Sequence, residues 1–107
     1  MAYYLTQASY SPEAWKAQTQ NPQDRSKQIS GLLEAAGGRL IGLYFAFGEY
    51  DLVLISEAPD NATVASVLIA ATASGAVSNI KTTPLMSYEE GLSAIKTAGS
   101  INYKPPQ

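Results

Sequence analysis

Apolar and polar positions alternate through residues 3–10, a stretch rich in tyrosine, and predict a first strand. Ser11-Pro12-Glu13 follows: an N-cap, a proline at the first helical position and an acid in the first turn. Residues 13–18, which carry Trp15, therefore read as a short helix. Asn21-Pro22-Gln23-Asp24 repeats that signal and predicts the start of a second helix. Its Ile29, Leu32, Leu33 and Ala36 fall at i, i+3, i+4 and i+7, one apolar stripe, before Gly37-Gly38 caps its end. Residues 39–47 and 51–58 read as two strands of a hairpin turned at Gly48. Asp60 is placed to cap a helix over residues 61–74, where Val64, Val67, Leu68 and Ala71 repeat the helical spacing and Gly75 is the stop. Residues 76–87 predict a fourth strand with Pro84 near its end, which a strand tolerates only at an edge or a bulge. Ser87 and Glu90 form a capping box that opens a last helix over residues 88–98, ended by Gly99. The tail, residues 100–107, carries Pro105-Pro106 and is expected to fray or lie on a neighbour.

The order β-α-β-β-α-β-α, with one hairpin between interleaved strands and helices, predicts an α+β chain with a ferredoxin-like βαββαβ sandwich. Residues 1–99 make one domain, with a four-stranded antiparallel sheet and an added C-terminal helix. Helices cover one face of such a sheet, so strands with water on the other face should alternate apolar and polar. The second and third strands, expected at the sheet centre, do not. Ile41, Leu43, Phe45 and Phe47 share one side of the second strand, Leu40, Gly42, Tyr44 and Ala46 the other, and Leu52-Val53-Leu54-Ile55 is apolar on both sides. Exposing that many apolar side chains would leave a larger patch than monomers carry. A second copy is the simplest cover, so a homodimer or higher homo-oligomer is expected; the competing cover is the helix after the fourth strand.

Composition sharpens this picture. Only 15% of the 107 residues are charged, against 46% apolar, which fits a surface partly hidden from water. The seven basic residues are scattered and the net charge is −2, so no basic stripe exists to neutralise nucleic-acid phosphates. The absence of cysteine removes disulfides and thiolate chemistry, and the absence of histidine removes the commonest general base and metal ligand. Neither a cofactor nor a metal site is expected. The N-terminus has no basic segment followed by an apolar one, and no apolar run approaches ~20 residues, so a cytoplasmic protein without membrane contact is expected.

The stretch Gly48-Glu49-Tyr50-Asp51, followed by the apolar third strand, resembles the signature of the GYD-domain family, named for a Gly-x-Tyr-Asp turn. Tyr4 and Tyr10, the Gly-Gly-Arg-Leu before the second strand and the Lys-Thr-Thr-Pro-Leu at residues 81–85 agree with it, so that the resemblance runs over about residues 3–98. The family is similar to the dimeric α+β barrel superfamily, which implies two ferredoxin-like sheets facing each other. That superfamily includes cofactor-independent monooxygenases and isomerases, haem-handling enzymes and amino-acid-binding modules. The resemblance thus implies a fold and not a reaction.

Four side chains are candidates for binding a small organic ligand, aromatic or carboxylate. Tyr4, Tyr10 and Tyr44 lie on strands beside small residues, an arrangement expected to leave a cavity with hydroxyls at its rim, and Trp15 stands at its entrance. The competing account is ordinary packing of the rings. The catalytic candidates are Asp51, with Glu49 nearby, as a general base, Tyr44 as an acid or base, and Arg25 as a carboxylate anchor. The local account of the Gly48–Asp51 turn is that Gly48 takes a positive φ and Asp51 accepts backbone hydrogen bonds. Lys81 reads as an edge-strand charge. Three functions are in play: a small-ligand binder, a small cofactor-independent enzyme of isomerase or monooxygenase type, and a structural oligomer.

Overall fold

The computed structural model describes residues 1–106; Gln107, the last residue of the expected tail, lies outside the described residues. The elements are β1 (Ala2–Tyr10), α1 (Pro12–Gln20), α2 (Ser26–Ala35), β2 (Arg39–Phe45), β3 (Leu52–Ala58), α3 (Asn61–Ala73), β4 (Val77–Leu85) and α4 (Tyr88–Ala98). The sheet is antiparallel with strand order β2-β3-β1-β4, the ferredoxin-like arrangement. Three helix starts carry the caps that the sequence encodes. Ser11 accepts from the Ala14 N–H, Asp60 from the Thr63 N–H, and Ser87 with Glu90 closes a full capping box. The glycine pair ends α2 as a Schellman motif: Gly37 has φ +87°, its N–H reaches Glu34 O, and the Gly38 N–H reaches Leu33 O.

Three local expectations are corrected. The Asn21-Pro22 pair ends α1 rather than opening α2. The Asn21 N–H closes onto Ala17 O, and the Asp24 carboxylate takes the Ser26 N–H, so α2 begins only at Ser26. β2 stops at Phe45, and residues 46–51 form a loop closed by the Ala46 N–H on Asp51 O. Gly48 in that loop has no left-handed φ, and a Cβ there would meet open space. Finally, β2 is an edge strand, so the central pair is β3 and β1.

Register fixes the faces. Tyr4 opposes Ser56, Thr6 opposes Leu54 and Ala8 opposes Leu52, all facing the helices. A bulge at Ile41 shifts the phase of β2, so Leu40, Leu43 and Phe45 share the helix side while Gly42 and Tyr44 turn to the other face. A second bulge lies on the edge strand β4, where Asn79 (φ +48°) and Ile80 oppose the single β1 residue Ala8. The tight core sits at one end, where Tyr4, Ala58 and Val64 pack with Ala2 and Leu68. The face away from the helices carries Leu5, Val53 and Ile55 at its centre, with Tyr3, Leu85 and Tyr44 around them. Helix α4 does not cover it: every residue of α4 except Gly91 is exposed, and the helix stands off the body.

Candidate functional site

Between the helices and the sheet, at the end away from the tight core, lies a cavity of about 710 Å³. Its floor is the helix-facing side of β1 and β3, where Thr6, Ala8 and Ser56 are small and buried beside Leu52 and Leu54. Its walls are Ala14 and Ala17 of α1, Ile29, Leu32 and Leu33 of α2, and Val67, Leu68 and Ala71 of α3. The cause of the space is visible in those names. The α1 face is built on Ala14 and Ala17, and α3 adds Ala71 beside Val67 and Leu68; an alanine side chain does not reach across the roughly 10 Å between packed layers. Leu33 is buried and Leu32 stays partly exposed at the mouth. Beside this cavity, at the β2 edge, lies a recess of about 260 Å³ lined by Leu43, Tyr44 and Phe45. Tyr10, Gln18 and Arg25 border both spaces.

Of the four ligand-binding candidates, Tyr10 and Tyr44 both line the recess, while Tyr4 and Trp15 line neither space. Tyr4 is 2% exposed, and its hydroxyl donates to Asn61 Oδ1 at 2.6 Å, so it belongs to the packed core and lines neither space. Tyr44 is carried by the Ile41 bulge to the sheet face opposite Tyr4 and Tyr10, where its ring folds over Gly42. Strands β1 and β2 are also separated by β3, so their tyrosines do not stand on adjacent strands. Tyr10 and Trp15 do meet, edge to face with ring centroids 5.1 Å apart, and Tyr10 lines the cavity with Trp15 packed behind it.

Of the catalytic candidates, Tyr44 and Arg25 both line the recess, whereas Asp51 lines neither space. Asp51 Oδ2 accepts from the Tyr10 N–H at 3.1 Å and from the Trp15 indole N–H at 3.3 Å, and its own N–H bonds Ala8 O. This carboxylate clasps the β2–β3 loop to the end of β1 and the start of α1. Glu49 is exposed, its backbone oxygen accepting from the Ser9 hydroxyl. Arg25 alone of the three reaches the cavity. Burial raises the Tyr10 phenol above its ordinary value of 10.0, with the Arg25 charge opposing and the Asp51 charge reinforcing the shift, so the ring stays a neutral donor at neutral pH. Lys81 pairs with Gln7 on the outer face of the edge strand and is exposed.

Sequence reasoning missed Gln18. Its Nε2 is buried with no hydrogen-bond partner, at the border of both spaces. The one available signal was spacing: Gln18 follows Ala14 at i+4 on the α1 face that lines the cavity.

Residues 4–95 match the GYD domain. The chain belongs to the GYD-domain family. The Gly48–Asp51 stretch that names the family is here the β2–β3 loop and its clasp, outside both spaces. No curated protein matches the chain. No helix among the described residues is long and apolar enough to cross a membrane.

Proposed function

We propose that this GYD-family chain is a homodimer that binds small, mainly apolar organic molecules between its helices and its sheet. The observation that carries the binding reading is the cavity. Its ~710 Å³ falls within the roughly 300–1,000 Å³ of ligand sites, and its lining is mostly apolar with polar side chains among them, Tyr10, Gln18 and Arg25 included. Packed interiors leave few voids larger than a water molecule. A thermal-shift screen of small organic compounds tests it: a ligand at a thousandfold its Kd adds about 4 kcal/mol of stability. If no compound raises the Tm while the cavity-filling Ala71→Leu does, the space is a packing defect and the reading fails.

Surface area supports the dimer. The chain exposes 7598 Å², where a folded monomer of 11.4 kDa exposes roughly 5,800 Å². The excess, about 1,800 Å², is what one protomer contributes to a large permanent interface. Its radius of gyration is 17.4 Å, against about 13 Å for a compact chain of this length. Exposed apolar side chains contribute to it on α4 (Tyr88, Leu92, Ile95), at the rim of the uncovered sheet face (Tyr3, Tyr44, Leu85), in the β2–β3 loop (Phe47) and in the tail (Ile101, Tyr103). Light scattering at micromolar concentration should give twice 11.4 kDa, and a single 11.4 kDa unit would refute the dimer.

A further inference from the structure

We propose that the ligand carries an anionic head, a carboxylate, seated between Gln18 and Arg25 at the junction of cavity and recess, with its apolar body lying along the alanine-lined wall. This rests on the binding reading above and specifies the ligand class. Two uncommitted groups meet at that junction. Gln18 Nε2 is a buried donor with no acceptor among the described residues, a condition that a ligand oxygen would relieve. Arg25 makes no ion pair; among the described residues the one salt bridge is Arg39–Glu57. A guanidinium is a planar fork of N–H donors that a carboxylate accepts, and the Gln18 amide bordering the same spaces adds a further donor. The Tyr10 side chain borders the same two spaces as Gln18 and Arg25.

The acids nearby are placed elsewhere or occupied. Glu13 borders only the large cavity, away from the recess. Asp24 borders the recess, but its carboxylate accepts the Ser26 N–H and helps start α2. Behind Tyr10, Asp51 is engaged by Tyr10 and Trp15. Glu13 lines the cavity and Asp24 the recess, but both are exposed, as is Arg25, and no ion pair joins either to Arg25 among the described residues, so its guanidinium is available to an incoming anion.

The test compares octanoate with octan-1-ol, which share a chain and differ in the head, by isothermal titration of the full-length protein at pH 7. Octanoate should bind at least tenfold more tightly. Arg25→Gln should remove that preference while leaving the alcohol's affinity within about twofold, and Gln18→Leu should weaken octanoate by several-fold with the same small effect on the alcohol. If the alcohol binds and the acid binds no better, the head-group proposal is overturned and the cavity reading stands. An acid preference that survives Arg25→Gln also overturns it. If neither compound binds, both readings fall.

Discussion

Replacing Asp51 separates a structural clasp from a catalytic carboxylate. Asp51→Ala removes the acceptor of two hydrogen bonds, from the Tyr10 N–H and the Trp15 indole. The Tyr10 N–H is part-buried, and leaving it unsatisfied costs about 1–3 kcal/mol. Trp15 is 37% exposed, so its indole N–H regains water and adds little. A loss of about 2 kcal/mol follows, which for a chain of 107 residues is a fall in Tm of about 9 °C. Both bonds use the same oxygen, so Asp51→Asn can hold its amide oxygen in that position. It loses only the charge assistance, about 1 kcal/mol. Urea unfolding followed by tryptophan fluorescence reads this directly, because Trp15 is the single tryptophan and sits on the clasp. Measurements at two protein concentrations separate folding from association. The reasoning is refuted if Asp51→Ala unfolds within about 0.5 kcal/mol of the parent chain, or if Asp51→Asn costs as much as Asp51→Ala.

Three further outcomes are expected. Gly38→Ala should destabilise by about 1–3 kcal/mol, because a Cβ there collides with the Glu57 carbonyl oxygen, whereas Gly48→Ala, facing open space, should unfold within about 0.5 kcal/mol of the parent chain by the same urea titration. Asn61→Ala strands the buried Tyr4 hydroxyl and should cost about 1–3 kcal/mol, while Tyr4→Phe leaves only the exposed Asn61 to water and should cost less; equal losses would contradict the hydrogen bond. The Asp60 carboxyl is held below its ordinary value of 3.8 by hydrogen bonds from Thr63, so its contribution is complete above about pH 4 and is lost as pH falls through the lowered folded value. Asp60→Asn should flatten the acid limb of a Tm-against-pH curve, and an unchanged limb would show that the cap does not titrate with folding.

Local chemistry explains what could be read without the structure. Ser11, Asp60 and Ser87 cap their helices within three residues, and the Gly37-Gly38 pair closes α2 within six, so each signal is complete in a short segment. The apolar stripe of α3 was likewise legible, because Val64, Val67, Leu68 and Ala71 recur with the helical period and do face the sheet. The tyrosine site was not legible for an equally physical reason. Side chains alternate along a strand with period two, so the one-residue bulge at Ile41 moves Tyr44 to the opposite face, and no composition rule announces the bulge.

The chain by itself thus determined its elements, their caps, the ferredoxin-like order and the excess of apolar surface, since these follow from period, turn chemistry and composition. The tertiary structure alone decided which strands adjoin, which face each ring takes and where space remains. Gln18 and Arg25 are seven positions apart on different segments, and neither is distinctive in the sequence. They border the same spaces only because α1 ends at Gln20, the chain turns through Asn21–Arg25, and the helices stand over the sheet with a cavity beneath.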